Sequence, residues 1–205
     1  MLDKEEKLNA LSHAVGVLLG LVGTTVLFFA NSHKTAYATV GLAIYGLSLI
    51  LLFTASTFYH LSYDPKLKHR FRILDHISIF YLIAGTYTPV TLITLWEGNG
   101  LAIFSVVWGI ALVGTFLKLF FTGKYEIVSL LLYLIMGWLI VFDLENLVGG
   151  TSFLGLSYLM LGGAFYTIGI LFYALKYIPY NHFIWHLFVL AGAISHWMFI
   201  FTDVV

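Results

Sequence analysis

The chain has 205 residues, of which 60% are apolar and only 10% are charged, and its formal net charge is zero. A soluble domain of this length would need more polar surface to cover itself, so the composition excludes an ordinary soluble protein. The neutral charge balance argues against a nucleic-acid partner, and the absence of cysteine means that any metal site must use His, Asp or Glu.

The apolar residues form seven runs, most of them close to the length of about 20 residues that lets a helix cross a bilayer. In chain order, we predict membrane-spanning helices at residues 9–30, 36–62, 73–96, 101–122, 126–143, 153–175 and 182–203. The segments between them carry Gly, Pro, Asn or charged residues, as turns do. The first run has no clear signal-peptide cleavage site, so we interpret it as a retained helix. The sequence therefore predicts an all-α, polytopic membrane protein in which residues 1–205 form a single seven-helix transmembrane domain.

The positive charges predict the orientation of this bundle. One side of the predicted membrane holds Lys4, Lys7, Lys66, Lys68, Arg70, Arg72, Lys118, Lys124 and Lys176, whereas the other side holds only Lys34. Short cytoplasmic loops carry an excess of Lys and Arg, so we predict a cytoplasmic N-terminus and an external C-terminus. The acidic residues expected near the outer surface, where we predict them to be solvated, are Asp143, Glu145 and Asp203.

Most of the side chains that could do chemistry gather at the cytoplasmic ends of the predicted spans. They are Glu6, Asn9 and His13 at the start of span 1, Ser56 and His60 near the end of span 2, Asp75 in the first turn of span 3, and His182 and His186 in the first two turns of span 7. Residues far apart in sequence therefore reach a similar depth. Ionisable groups within membrane spans are expensive and are usually functional, so this convergence points to a site.

The histidine spacing favours a metal ion in that site. His182 and His186 lie four residues apart and share one helix face, so both can bind one ion. A third ligand from another helix would leave the fourth position of a zinc ion open to water, as in catalytic zinc sites. A nearby carboxylate can orient that water and accept its proton, and Asp75 is the candidate. The sequence His182-Phe-Ile-Trp-His186 has no Glu between its histidines, so it is not the metalloprotease helix motif.

Each of these residues also has a structural interpretation. A histidine pair at this spacing can arise by chance. Asp75 can instead pair with Arg72 or cap the start of span 3, and the Ser56 hydroxyl can bond back to the Leu52 carbonyl. His196 lies about 15 Å along the helix from His186, too far to bind the same ion, so we interpret it as a hydrogen-bonding residue in the middle of the membrane.

Ordered motifs over nearly the whole chain resemble those of bacterial hemolysin III proteins. They are Glu6-x-x-Asn9-x-x-x-His13, Ser56-Thr-Phe-Tyr-His60, Leu74-Asp75-His76 followed by Ala84-Gly-Thr-Tyr-Thr-Pro89, and His182-Phe-Ile-Trp-His186. Those proteins belong with the progestin and adiponectin receptors and the alkaline ceramidases in one membrane-hydrolase superfamily. The resemblance implies seven transmembrane helices in a bacterial plasma membrane and a zinc ion near its cytoplasmic face.

The resemblance also implies roles for individual residues. Carried over by position, the zinc ligands would be His60, His182 and His186, whereas Asp75 would hold the zinc-bound water with Ser56 close by. Receptor members have an aromatic residue at the position of His76 and a soluble N-terminal extension. Because this chain departs from both features, a receptor for a protein hormone is not expected, and the role of His76 stays open.

Two hypotheses of different classes follow. In the first, the protein is a zinc-dependent membrane hydrolase of a lipid amide or ester, with Asp75 as base and Ser56 stabilising the oxyanion. In the second, it is a non-enzymatic regulator of membrane lipid composition or fluidity, and its zinc is structural. An enzyme needs an open coordination position and a cavity long enough for an acyl chain. A pore-forming haemolysin is less favoured, because the outer halves of the spans are nearly free of charge.

Overall fold

The computed structural model describes residues 3–205, and within that range it contains helices and turns but no β-strand. The helices are α1 (Lys4–Ala30), α2 (Ala38–Leu61), α3 (Pro65–Pro89), α4 (Gly100–Phe121), α5 (Glu126–Trp138), α6 (Leu144–Gly150), α7 (Phe153–Ala174) and α8 (Asn181–Phe199). Short π-helical segments extend α3 over Val90–Thr94 and α8 over Ile200–Val204, and a 3₁₀ segment, Leu139–Asp143, joins α5 to α6. Within residues 3–205, seven helical spans are long and apolar enough to cross a membrane, which confirms the prediction of an all-α membrane protein with seven spans.

Two helices begin earlier than hydropathy predicts, because each has a capped, charged first turn. Asp3 caps α1 by accepting a hydrogen bond of 2.8 Å from the Glu6 backbone N–H, so the helix starts at Lys4 and not near residue 9. Asp64 caps α3 in the same way by accepting a hydrogen bond of 2.8 Å from the Leu67 backbone N–H. This helix therefore starts at Pro65, eight residues before the predicted start at residue 73. A side-chain acceptor at this position satisfies backbone donors that the helix itself leaves free.

The fifth span is longer than predicted and contains a buried carboxylate. The predicted break at residues 144–146 is helical, and α6 continues to Gly150. Asp143, expected to be solvated, is only 4% exposed. It accepts hydrogen bonds from the Asn99 backbone N–H at 2.8 Å and from the Asn146 side chain at 2.7 Å. The prediction for Asp143 was therefore wrong, because this carboxylate ties the α4 entry to α6.

Close helix packing brings the central spans together. The most extensive contacts are those of α2 with α1 and α3, and those of α7 with α8, whereas α5 meets α7 over a small area. The approach of α4 to α3 depends on Gly114, because a methyl group there would overlap the fully buried ring of Phe80. Small residues at helix interfaces allow this distance between backbones in membrane proteins.

A buried lysine connects α4 with α5 next to the start of α3. Lys118 is 1% exposed, and its ammonium group donates a hydrogen bond of 3.0 Å to Glu126. Arg72 contacts the same carboxylate at 3.6 Å, and His76 Nδ1 lies 4.0 Å from it. Lys118, counted from the sequence among the positive charges of one side of the membrane, is thus enclosed in the bundle with its counter-ion.

The two ends of the bundle agree with the alternation of seven spans. At one end, Glu6 on α1 contacts both His60 on α2 and Lys68 on α3, at 2.6 and 2.7 Å. At the opposite end, the Lys34 ammonium donates to the Asp203 backbone carbonyl at 2.8 Å. The start of α1 and the C-terminal segment therefore lie at opposite ends of the bundle, as an odd number of spans requires.

Candidate metal centre

Three histidines meet at the end of the bundle where α1 begins. His60 lies in the last turn of α2, and His182 and His186 occupy the first two turns of α8. One ring nitrogen from each lies within 4.8 Å of the other two, and the Nε2 atoms of His182 and His186 are 3.2 Å apart. The structure thus brings together the three histidines that the sequence singled out, and the cluster could hold a metal ion.

Glu6 fixes the orientation of the His60 ring. The Nδ1–H group of His60 donates to the Glu6 carboxylate at 2.6 Å, and Lys68 donates to the other oxygen of that carboxylate at 2.7 Å. His60 Nε2 is buried and has no hydrogen-bond partner among residues 3–205. A histidine that binds a metal usually donates its second ring N–H to a carboxylate or carbonyl, so this arrangement prepares Nε2 for an ion.

His186 is oriented in the same manner by the backbone of α1. Its Nδ1 atom donates to the Asn9 carbonyl at 3.2 Å and contacts Ser12 Oγ at 3.4 Å, which leaves Nε2 directed at His182. The sequence placed Glu6 and Asn9 at the depth of the site and in a motif, but it gave neither residue a role. Their spacing of three residues at the start of α1, on the face that also carries His13, was the available signal for this orienting role.

The donor set fits a metal ion. Neutral imidazole nitrogens are good ligands for zinc, and Zn–N distances of about 2.0–2.1 Å in a tetrahedral site place ligand nitrogens roughly 3.3 Å apart. The separation of 3.2 Å between His182 and His186 matches that spacing. The unpaired, buried Nε2 atom of His60 supplies a third donor on the same side.

Asp75 is enclosed in the wall of the same site, but not at the position in its helix that the sequence predicted. Because α3 begins at Pro65, Asp75 lies in the third turn and cannot cap the helix, which Asp64 does. The alternative ion pair with Arg72 is not the one that forms, since Arg72 contacts Glu126. Asp75 is 8% exposed and lines the cavity that also contains His182 and His186.

Ser56 lies one turn before His60 and is 1% exposed. Its hydroxyl has no hydrogen-bond partner in the described part of the chain, so the bond back to the Leu52 carbonyl is not made. Ser56 lines the same cavity as Asp75. Ser56 and Asp75 are therefore placed in the same part of the cavity wall, beside the histidines.

The remaining histidines fall into distinct environments. His13 is buried with its ring stacked on that of His186, and His76 is buried beside Glu126. His196 Nε2 lies 3.3 Å from the Leu159 carbonyl, in agreement with its interpretation as a hydrogen-bonding residue within the membrane.

A long apolar cavity extends from the histidines into the bundle. It runs from His13, Asp75 and His182 at one end to Trp138 and His196 at the other. The 14 residues from His182 to His196 rise about 21 Å along α8, against a hydrocarbon core of about 30 Å. A second apolar cavity shares Trp138 and His196 and continues between α5 and α7.

Fold and site together define a class of protein: a multi-pass membrane protein with a buried histidine cluster, able to hold a metal ion, at one end of an apolar cavity. The family model described as "Haemolysin-III related" matches residues 2–197. The chain belongs to this family, which confirms the resemblance found in the sequence motifs.

Curated relatives match over most of their length. "Hemolysin-3" of Bacillus cereus is 41% identical over 191 residues, which cover 93% of this chain and 87% of the relative. "Hemolysin-3 homolog" of Bacillus subtilis (strain 168) is also 41% identical over 191 residues, covering 93% and 90%. The human "Monocyte to macrophage differentiation factor" is 31% identical over 204 residues, covering 94% and 82%. The bacterial relatives and the seven apolar helices support a multi-pass protein of the bacterial cell membrane.

Proposed function

We propose that the protein is a zinc-dependent hydrolase that cleaves an amide or ester bond of a membrane lipid near the cytoplasmic face. One observation carries the proposal: the histidine cluster lies at the end of a long apolar cavity whose wall also holds Asp75 and Ser56. A histidine cluster that could hold an ion thus lies with a carboxylate and a serine at one end of a space that suits an acyl chain.

Each residue has a defined task in this proposal. Zinc held by His60, His182 and His186 would supply Lewis acidity and make water nucleophilic at neutral pH. Asp75 orients the attacking water and accepts its proton. The Ser56 hydroxyl donates a hydrogen bond to the carbonyl oxygen as negative charge develops on it. Glu6 keeps the His60 ring in the orientation that binding requires.

The cavity supports a lipid as the reactant. Its extent of about 21 Å along α8 exceeds half of the hydrocarbon thickness of about 30 Å, which is the depth that the acyl chains of one leaflet fill. Its walls are largely apolar, and the carboxylate in its lining, Asp75, belongs to the same wall as His182 and His186. An acyl chain in this space would bring its carbonyl end towards Asp75 and Ser56.

Fatty-acid release tests the proposal. Purified protein is incubated with a panel of acyl amides and esters in three states: loaded with zinc, treated with a chelator, and reloaded with zinc. We expect release in the first and third states and none in the second. Release that is insensitive to chelation would contradict the zinc requirement, and no release from any lipid by zinc-loaded protein would contradict hydrolysis.

A second candidate is a regulator of membrane lipid composition or fluidity with a structural metal. It is favoured by the position of the histidines, because an ion bound by His60 and His186 would tie α2 to α8. X-ray absorption spectroscopy of the purified protein distinguishes the two. Four protein ligands favour the regulator, whereas three protein ligands and one water-derived oxygen favour the hydrolase.

A further inference from the structure

We propose that Gly137 and Gly163 form a window through which the acyl chain of a bound lipid passes from the long cavity into the second cavity. The two glycines thereby set the length of acyl chain that the protein accepts. This inference rests on the lipid site of the proposed function, but it does not require that the lipid be hydrolysed. It assigns a role in specificity to two residues outside the histidine cluster.

The two cavities meet at a small set of shared lining residues. These come from four helices and are Thr86, Tyr87, Gly137, Trp138, Gly163 and His196. Two of the six have no side chain, and they belong to α5 and α7, the helices between which the second cavity continues. The passage between the cavities therefore runs beside positions where any larger residue would narrow it.

Gly163 lies on the face of α7 that lines the long cavity. The lining residues of this helix recur every three or four positions, as one side of a helix does, and are Gly163, Tyr166, Thr167, Ile170 and Tyr173. The preceding glycine, Gly162, faces α8 instead, because an added Cβ there would overlap the His196 ring. Gly163 is thus turned away from the α7–α8 contact and towards the cavity.

Neither window glycine is explained by close helix packing. A Cβ at Gly137 or at Gly163 would meet no described atom within 4 Å, so each position borders open space. Glycine in a membrane helix usually lets a neighbouring backbone approach, and no such approach occurs here. The backbone of Gly137 is held in place by Tyr87, whose hydroxyl donates to the Gly137 carbonyl at 3.0 Å. The opening is therefore built on a fixed backbone.

The window lies at the depth that a long acyl chain reaches. Tyr173 on α7 is level with the histidines, since its ring centroid lies 5.9 Å from that of His182. Gly163 is ten residues away along α7, a rise of about 15 Å, which is half of a hydrocarbon core of about 30 Å. A hexadecanoyl chain, which fills one leaflet, reaches the window from the histidines, and extends beyond it when straight. An octanoyl chain is half as long and stops short.

Native mass spectrometry tests the window, because it counts bound zinc and bound fatty acid on the same molecule. The probes are octanoic, decanoic, dodecanoic, tetradecanoic and hexadecanoic acid, each added alone to zinc-loaded protein. Free acids are used because a hydrolase of amides or esters cannot cleave them. Each step in the series adds two methylene groups, which raise affinity by up to about tenfold when they are buried. Wild-type affinity should rise over the whole series.

Two variants place a side chain in the window from opposite helices. In Gly163→Leu and in Gly137→Leu, affinity should stop rising once the chain reaches the window. Hexadecanoic acid should then bind at least about tenfold more weakly than to wild type, because two or more methylene groups lose their place, and octanoic acid should bind equally. Gly109→Leu on α4 is the matched control, since its Cβ also meets open space but lines neither cavity. All three variants should keep their zinc.

The outcomes separate this inference from the proposed function. An unbroken rise in both window variants would overturn the inference and leave the lipid site standing. Weaker binding of octanoic acid as well would also overturn it, because the window would then not select by length. A flat series in wild type would overturn it even if both variants failed to fold, and would remove the lipid site too. Absence of hydrolysis with the series as expected would refute the enzyme alone.

Discussion

The histidine rings of this protein show how strongly the surroundings set the role of a residue. His60 and His186 each have one nitrogen engaged by α1 and the other directed into the cluster. His33 and His69 are exposed to solvent. The same side chain thus serves as a candidate ligand in one place and as a surface residue in another, and substitution can separate these roles.

Zinc content should depend on three histidines and not on the exposed ones. We expect about one zinc per purified chain, and a sharp fall for each of the variants His60→Ala, His182→Ala and His186→Ala, because three ligands hold a catalytic-type ion. The controls His33→Ala and His69→Ala should keep the metal. Elemental analysis decides this, and full zinc in His186→Ala would refute the site.

Asp75 should matter for turnover more than for metal content. Asp75→Asn preserves the size of the side chain but cannot accept a proton, and general-base assistance contributes on the order of 10²–10⁴ in rate. We expect a folded, largely zinc-loaded variant whose fatty-acid release is reduced at least about a hundredfold. Release equal to that of wild type on the same acyl lipid would remove Asp75 from the mechanism.

Glu6 should affect the metal without touching it. Glu6→Gln weakens the acceptor for His60 Nδ1 and removes the charge that Lys68 neutralises, so zinc affinity should fall about 10–100-fold. Glu5→Gln, at the neighbouring position of the same turn, is the control and should have no effect. Competition with a chelator of known affinity measures the change, and unchanged affinity in Glu6→Gln would show that the His60 contact is dispensable.

At the scale of elements, glycines on one helix make a direct comparison possible. A Cβ at Gly114 would overlap Phe80, whereas a Cβ at Gly109 meets no described atom within 4 Å. Gly114→Ala should therefore destabilise the protein by about 1–3 kcal/mol through overpacking. Gly109→Ala should be neutral or stabilising by up to about 1 kcal/mol, because alanine favours helix. Thermal unfolding in detergent compares them, and equal destabilisation would argue against the α3–α4 contact.

The elements also show how far the sequence could lead. The apolar runs located all seven spans, because crossing hydrocarbon demands about 20 apolar residues. The starts of α1 and α3 were missed. Asp3 and Asp64 cap first turns that contain charged residues, and a hydropathy scale scores charged residues as unlikely to belong to a membrane helix. The histidine pair on α8 was predictable from its spacing, since one helix carries both histidines on the same face.

The rest of the site depends on tertiary contacts that no local pattern encodes. That Glu6 holds His60, and that His13 stacks on His186, follow from how α1 lies against α2 and α8. The burial of Asp143 likewise arises from its bonds to Asn99, 44 residues away in sequence. The sequence motifs indicated that residues such as Glu6 and His13 matter. Their contacts became visible only once the helices were packed together.

At the scale of the whole molecule, orientation in the membrane is the property to test. The charge asymmetry predicts that the N-terminus is cytoplasmic and the C-terminus external. A fluorescent protein that matures only in the cytoplasm should be active at the N-terminus and inactive at the C-terminus, and alkaline phosphatase should show the reverse. A fusion after residue 122, behind four spans, is the control and should report the cytoplasm. A cytoplasmic C-terminus would contradict the topology.

The enclosed pair of Lys118 and Glu126 has a consequence for how the protein is made. The two charges are separated by eight residues and by one tight turn, so Glu126 leaves the ribosome almost as soon as Lys118 does. Inserting a lone lysine into hydrocarbon costs a few kcal/mol, about 2.5–3.5 at the centre of a span. Neutralisation within the nascent α4–α5 hairpin lowers that penalty, so these two helices can enter the bilayer together, before the histidines of α8 have been synthesised.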